Sequence, residues 1–399
     1  MASLPEAAQA QKDALEAAKT ALDAGKVQQA ETQIGKALSH DDTRNNPETW
    51  SVAGHIQLLK SEEQHKKAYL GKAYDTLIIY NSTLEMCRDF MRCDSLAELP
   101  DNKGRVRNKF RKGNAQAATA ARANLLNGGI YFYNKSDADR ANAMRALDFF
   151  GTYVDLAQSP LMSRNKMTAA DSTEVNRTAY YACLAAMKTD NYHAVAEYYN
   201  KGARRDNSHG ALAALYCSQA YKELGQTDSV RIVLTEAFRR YPDNETLFTA
   251  LTDYYTSLRD YNSAIALTDS MLVRDGSNYT YYYIKGYLLF GLRDYDGALR
   301  QYSKAIDLNP RYAEAYSNTG LIYRIMAQDY ADRATNDINS ARYAEEQNVI
   351  TGYYQKARQN YEKARELKPD SKDLWLDGLY SVYYNLKMGK EFGEIDRMR

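Results

Sequence analysis

The chain has 399 residues, with 52 basic against 51 acidic side chains, so its formal charge of +1 creates no overall field toward nucleic acid or a charged surface. It contains 44% hydrophobic residues but only 7 prolines and 21 glycines, which favours helices and excludes a many-stranded sheet or a disordered chain. Because one hydrophobic core seldom fills this length, we expect several domains or one stacked array of helices.

The N-terminal segment, residues 1–10, ends in Ala8-Gln9-Ala10, the small-x-small pattern of a signal-peptidase site. The basic and long apolar regions that precede such a site are missing. We expect residues 1–10 to be the remnant of a signal peptide and the protein to be exported to a bacterial periplasm. The alternative is an Ala-rich start to the first helix of a cytoplasmic protein. No run of about 18 apolar residues occurs, so we expect no transmembrane helix.

Residues 11–112 are predicted to form helix pairs. After Gly25, the apolar residues Ala30, Ile34 and Ala37 are spaced as one packed face of a second helix. The Trp50-x3-Gly54 motif then begins another pair whose second helix is enlarged.

The four cysteines are predicted to be small buried side chains. Cys87 and Cys93 are six residues apart on a predicted helix, so their Cα atoms are about 9 Å apart, beyond disulfide range. Cys183 and Cys217 lie at small-residue positions on predicted packing faces.

A run of cations ends this first region. It consists of Lys103, Arg105, Arg107, Lys109, Arg111 and Lys112. An acidic stretch, residues 94–101, comes directly before it, so the run is either a solvated connection or a contact for an anionic partner. Phe110 is its single aromatic residue, which gives no basis for stacking on nucleic-acid bases.

Residues 113–210 are predicted to form longer and less regular helix pairs. Gly128 and Gly129 fall inside an apolar helix, and we expect them to mark a close helix crossing or a kink.

A repeat of 34 residues is clearest between residues 245 and 325. In the first helix of each repeat, a large aromatic residue (Phe248, Tyr282, Tyr316) is followed four residues later by a small one (Thr252, Gly286, Gly320). In the second helix Ala264 corresponds to Ala298, Met271 to Ala305 and Gly276 to Pro310. Small residues let two helices approach closely, and proline ends the second helix.

These positions resemble the tetratricopeptide-repeat (TPR) pattern, and residues 294–310 are close to the second helix of that family. The resemblance implies an all-α, right-handed superhelix of antiparallel helix pairs with a concave peptide-binding groove. TPR proteins as a class are scaffolds and adaptors, so it also implies a protein or peptide partner. Repeats are assigned to residues 211–244, 245–278, 279–312 and 313–371, with degenerate repeats in 11–112 and 113–210 and a capping helix and tail in 372–399.

The last full repeat contains an insertion. Its second half, marked by Ala357, Tyr361, Ala364 and Pro369, is displaced by 25 residues from the 34-residue step. We interpret residues 327–352 as lengthened helices whose ends protrude, either as a solvated extension or as a docking element.

The groove that the family geometry implies is the best site prediction. Its aromatic stripe is Tyr283, Tyr287 and Phe290, at helical i, i+4, i+7 spacing. Neighbouring repeats contribute Thr249, Asp253, Thr256, Ser317, Leu321, Arg324, Gln219 and Lys222. The alternative is that these aromatic rings only pack between helices. Asn318 is compatible with the carboxylate clamp of the chaperone cochaperones, but Tyr283 and Tyr287 replace the lysine and asparagine expected there, which argues against carboxylate capture.

No catalytic, metal-binding or cofactor-binding motif is recognisable. The five histidines have no metal-ligand spacing, and no Walker loop or GxSxG motif occurs. The sequence therefore predicts a protein-interaction scaffold rather than an enzyme. A regulatory or assembly adaptor that uses residues 103–112 on an anionic partner is the alternative.

Overall fold

The structure, a computed structural model, describes residues 4–100, 103–163 and 169–399. Throughout these ranges the regular structure is helical and contains no strand, so the predicted all-α fold is confirmed. The chain divides into two compact units, Met1–Leu247 and Phe248–Arg399. Residues 1–3 of the predicted signal-peptide remnant lie outside the described residues, and residues 4–10 belong to the first helix.

The helices of the first unit are α1 (Leu4–Asp23), α2 (Val27–Leu38), α3 (Asp41–Arg44), α4 (Pro47–Tyr69), α5 (Thr76–Ala97), α6 (Arg111–Ala121), α7 (Ala123–Tyr133), α8 (Arg140–Gln158), α9 (Ala169–Met187), α10 (Tyr192–Lys201), α11 (Gly210–Glu223) and α12 (Thr227–Arg240). Helix α13 (Glu245–Ser257) begins just before the boundary between the units.

The helices of the second unit continue with α14 (Tyr261–Arg274), α15 (Tyr279–Gly291), α16 (Tyr295–Leu308), α17 (Ala313–Ala331), α18 (Ala341–Leu367), α19 (Leu376–Asn385) and α20 (Gly389–Asp396). Helices that are consecutive in the chain from α14 to α20 pack against one another. Two helices that pack together across a connection of a few residues must run antiparallel.

Side-chain caps start the second helix of several pairs. The carboxylate of Asp260 accepts a hydrogen bond from the backbone N–H of Ser263, and Asp294 does the same for Gly297. Asn191 caps α10 through the N–H of Ala194. Each cap satisfies a backbone donor that the first turn of a helix leaves without a partner.

The turns inside the pairs share one backbone geometry. Arg259 and Arg293 adopt left-handed conformations, with φ of 58° and 62°. In each turn the next residue donates back across the helix end, from Asp260 N to Tyr255 O and from Asp294 N to Leu289 O, both at 2.9 Å. This closure is the Schellman motif, which ends a helix and reverses the chain within three residues.

Glycines face aromatic rings where paired helices cross, as the small-residue pattern predicts. A Cβ atom on Gly286 would lie 2.6 Å from the ring of Tyr302, and one on Gly128 would lie 2.6 Å from the ring of Phe149. A Cβ on Gly129 would collide with Phe150, so the predicted close crossing at Gly128-Gly129 is present.

The insertion in the last repeat lengthens both of its helices. Helix α17 continues to Ala331 and α18 begins at Ala341, whereas α15 and α16 have 13 and 14 residues. The buried carboxylate of Glu346 accepts from the backbone N–H of Thr335 and thereby anchors the connection between them.

Candidate functional site

The aromatic stripe of α15 is only partly exposed. Tyr283 is half-buried, with ring centroids 5.6 Å from Tyr302 and 4.9 Å from Tyr312. Phe290 is half-buried beside Tyr295, at 5.9 Å. Tyr287, between them in the stripe, keeps 49% of its surface exposed. Of the three predicted anchors, Tyr287 is therefore the one that offers its ring to solvent.

Asn318 links α17 to the tyrosines of α15 and α16. Its side-chain Nδ2 donates to the hydroxyl of Tyr283 at 3.1 Å and to that of Tyr302 at 3.4 Å. Since this amide group is used on two hydroxyls inside the unit, it is not directed at an incoming carboxylate. The geometry, like the sequence, therefore gives no support for a carboxylate clamp.

The hydroxyls of this cluster are neutral at physiological pH. Burial raises the pKa of Tyr283 above its usual range, although the hydrogen bond from Asn318 lowers it slightly. Burial raises the pKa of Tyr302 in the same way. The hydroxyls of Tyr283 and Tyr302 can therefore exchange hydrogen bonds but carry no charge.

The predicted groove residues of α17 take part in internal contacts. The Ser317 hydroxyl donates to the backbone oxygen of Leu374 at 2.5 Å, and Leu321 packs against the core formed by α18 and α19. Arg324 is half-buried beside Tyr361, whose pKa burial raises while the guanidinium of Arg324 lowers it. These three side chains help to hold the unit together.

The remaining groove predictions fall on two other helices. Thr249 and Asp253 are exposed on α13, and the Thr256 hydroxyl donates to the backbone oxygen of Thr252 at 2.8 Å. Gln219 and Lys222 are exposed on α11 in the first unit.

Arg111 in the basic segment is part of a structural ion pair. Arg111 binds the buried carboxylate of Asp94 in a bidentate manner, with Nε–Oδ1 and Nη2–Oδ2 distances of 2.7 and 2.8 Å, and also lies 2.9 Å from Glu98. Bidentate binding of this kind fixes the position of the guanidinium. Lys103, Arg105, Arg107, Lys109 and Lys112 are exposed.

An aromatic cavity in the first unit was not predicted from the sequence. It has a volume of about 260 Å³ and is lined by Ile130, Tyr133, Asn134, Phe150, Tyr181 and Leu184. Adjacent aromatic residues in the sequence, Phe149-Phe150, were the signal that could have revealed it. Neighbouring helix positions point in different directions, so the two buried rings have different partners: Phe149 packs against Phe132, and Phe150 lies 5.6 Å from Tyr181.

The described residues show no recognisable reactive centre. The four cysteines are buried, as predicted, and burial raises the pKa of the thiols of Cys87, Cys93 and Cys217 to about 12. Such thiols stay protonated and are poor nucleophiles. No group of three or more His, Cys, Asp or Glu residues that could hold a metal ion occurs within the described ranges.

Comparison with known proteins gives one family match. A sequence model described as "TPR repeat" matches residues 286–324, from the middle of α15 to the middle of α17. A search of curated protein sequences found no match.

Several solved structures match parts of the chain at low identity and low TM-score. YrrB, described as a TPR protein with an unusual peptide-binding site, is 18% identical, with 54% of this chain and 94% of that chain covered and a TM-score of 0.35. A TPR repeats protein from Bacteroides fragilis, BF2334, is 17% identical, and the match covers 70% of this chain and 99% of that chain with a TM-score of 0.32. MamA from Desulfovibrio magneticus is 15% identical, and the match covers 50% of this chain and 97% of that chain with a TM-score of 0.34. The family resemblance therefore rests on residues 286–324, which are similar to a TPR repeat and include the exposed Tyr287.

Proposed function

We propose that this chain is a protein-interaction scaffold that binds a peptide or a partner protein on the surface around Tyr287. The observation that carries the proposal is the exposure of this ring, in a stretch similar to a TPR repeat, while the aromatic residues on either side of it in the stripe are half-buried. An exposed tyrosine on a rigid support loses little side-chain freedom on binding and supplies both apolar area and a hydroxyl.

The support beneath Tyr287 is well ordered by its contacts. Tyr283 lies in the same helix and is held by two ring contacts and by the hydrogen bond from Asn318. The surface is therefore formed before the partner arrives, so less free energy is spent on ordering it during binding. The neutral tyrosines favour an apolar or aromatic anchor residue in the partner over a charged one.

A photo-crosslinking side chain at position 287, introduced in the native cell, would identify the partner. With that partner purified, we expect Tyr287→Ala to weaken binding about tenfold or more, since truncation of an aromatic anchor usually costs at least about 1.4 kcal/mol. The control is Tyr384→Ala, which removes a tyrosine that is also exposed, on α19. Equal binding by the Tyr287→Ala variant and the unmodified protein would contradict the proposal.

Tyr283→Ala is unsuitable for this test. Tyr283 packs between Tyr302 and Tyr312, so its removal also destabilises the second unit and would confuse loss of binding with loss of structure.

The alternative function, an adaptor that binds an anionic partner through residues 103–112, has weaker support. Arg111 is already paired with Asp94 and Glu98, and the guanidinium of such a pair is not available to a second anion without breaking it.

A further inference from the structure

The hairpin formed by α4 and α5 ends in an exposed tip, residues 65–75. These two helices have 23 and 22 residues, compared with 13 and 14 in α15 and α16. Every residue of the tip except Ala68 is exposed. The end of this hairpin therefore extends beyond the packed part of the first unit.

Three large apolar side chains on the tip are exposed. Tyr69 is 90% exposed, Leu70 is 54% exposed and Tyr74 is 53% exposed. Single exposed apolar residues are common on protein surfaces, but three within six residues form a cluster that marks an interaction site or an aggregation hazard.

The tip has a defined conformation. Gly71 adopts a left-handed conformation with φ of 65°, and the backbone N–H of Lys72 donates to Lys67 O at 2.9 Å, which closes a Schellman turn. The buried side chain of Gln64 accepts from the backbone N–H of Asp75 at 3.1 Å. The fold thus holds the apolar side chains out in solvent instead of leaving them in a loop free to fold back.

The charges on the tip are mainly positive. Lys66, Lys67 and Lys72 are exposed among the apolar residues. Asp75 is the single acidic residue in the tip, and its carboxylate is occupied in capping α5 through the backbone N–H of Leu77. Tyrosine and lysine together are the side chains that suit the boundary between lipid headgroups and acyl chains, because one end of each is apolar and the other is polar.

We propose that this tip binds the surface of an anionic lipid bilayer. Tyr69, Leu70 and Tyr74 enter the headgroup region, and the three lysines lie against lipid phosphates. A lipid surface adapts to a convex tip, whereas a protein partner would need a pocket of matching shape. Contact of this kind is peripheral, and no helix among the described residues is long and apolar enough to cross a bilayer.

This membrane contact is separate from the proposed partner surface. The tip belongs to the first unit, while Tyr287 belongs to the second. Loss of one interaction by mutation therefore leaves the other measurable.

The test is flotation of the full chain with vesicles of phosphatidylcholine mixed with phosphatidylglycerol, compared with vesicles of phosphatidylcholine alone. We expect binding to the anionic vesicles that weakens as salt is added, because the lysine contribution is screened. The Tyr69→Ser/Leu70→Ser/Tyr74→Ser variant should bind about tenfold or more weakly. Each of Lys66→Gln, Lys67→Gln and Lys72→Gln should bind about fivefold more weakly at low salt.

Matched controls lie in the second unit. Val273→Ser removes an apolar side chain that is almost fully exposed on α14, and Lys304→Gln removes an exposed lysine on α16. Both variants should float with the vesicles as the unmodified protein does. Far-UV circular dichroism of each variant checks that the fold is retained.

A second measurement locates the tip relative to the lipid. Tryptophan fluorescence of Tyr69→Trp, after subtraction of the signal from Trp50 and Trp375, should be quenched by brominated acyl chains, and that of Val273→Trp should not. The proposal is overturned if the unmodified protein ignores anionic vesicles, or if the triple-serine variant binds them equally well. Capture of a protein by the tip without any vesicle binding would also overturn it.

Discussion

At the scale of single residues, one side-chain type takes opposite roles according to its surroundings. Tyr302 is buried where two helices cross, whereas Tyr287, one helix away, is half exposed. Arginine shows the same contrast, since Arg111 is held by a buried carboxylate while its neighbours in the basic segment are exposed. Residue type and spacing predicted that tyrosines and arginines occur at these positions. The residues that they contact lie on other helices, so packing decides which of them are buried.

The Asp94–Arg111 pair leads to a prediction at this scale. Asp94→Ala leaves the half-buried guanidinium without its bidentate partner, so we expect a loss of about 3 kcal/mol in the free energy of unfolding. Asp148→Ala is the control, because it breaks an exposed ion pair with Arg88 and should cost less than about 1 kcal/mol. Urea unfolding followed by circular dichroism measures both. Equal losses in the two variants would show that burial of the Asp94 pair contributes nothing.

At the scale of helices, a glycine facing an aromatic ring recurs at several crossings. The 25-residue insertion does not disturb this pairing, because Tyr361 in α18 faces Gly320 of α17 as Tyr302 faces Gly286. The sequence predicted this displacement from the positions of Ala357, Tyr361 and Ala364. The prediction was possible because the pairing needs only one small residue and one ring at fixed positions on their helices.

A pair of alanine substitutions tests the requirement for a small residue. Gly286→Ala places a methyl group against the Tyr302 ring, so we expect a loss of about 1–3 kcal/mol from overpacking. Gly352→Ala, on α18, meets no atom within 4 Å and should stabilise its helix by up to about 1 kcal/mol. Hydrogen exchange of peptides from each helix gives the free energies of local opening. Stabilisation by Gly286→Ala would show that the crossing can relax without cost.

At the scale of the whole molecule, the stability of the second unit depends on contacts between successive helices. The buried core around Tyr361 is completed by Trp375, which directly precedes α19, and by side chains of the last two helices, including Leu379 and Ile395. In such arrays each helix pair is stabilised by its neighbours, and the final elements cover apolar surface that would otherwise face water.

Truncation after Lys368 tests this dependence. It removes α19 and α20 and exposes the ring of Tyr361, so we expect the free energy of opening of α17 and α18 to fall by at least about 3 kcal/mol. Truncation after Asp396 removes the exposed Arg399–Asp377 pair. It should change the free energy of opening of α17 and α18 by less than about 1 kcal/mol. Hydrogen exchange of peptides from residues 313–367 makes the comparison. Unchanged protection after the longer truncation would show that α19 and α20 are not a stabilising cap.

Much of the helical architecture followed from the order of residues, because helix pairing depends on local signals that recur every 34 positions. Large aromatic residues, small residues and apolar spacing marked the pairs from residue 176 to residue 371, and also the insertion. The exposure of each groove side chain did not follow, because it depends on which neighbouring helix covers it. Ser317, Leu321 and Arg324 matched the spacing of a groove, yet contacts with residues up to 57 positions away draw them into the unit. The aromatic cavity and the exposed hairpin tip likewise emerged from the folded chain, since solvent exposure is a property of the packed helices and not of the sequence order.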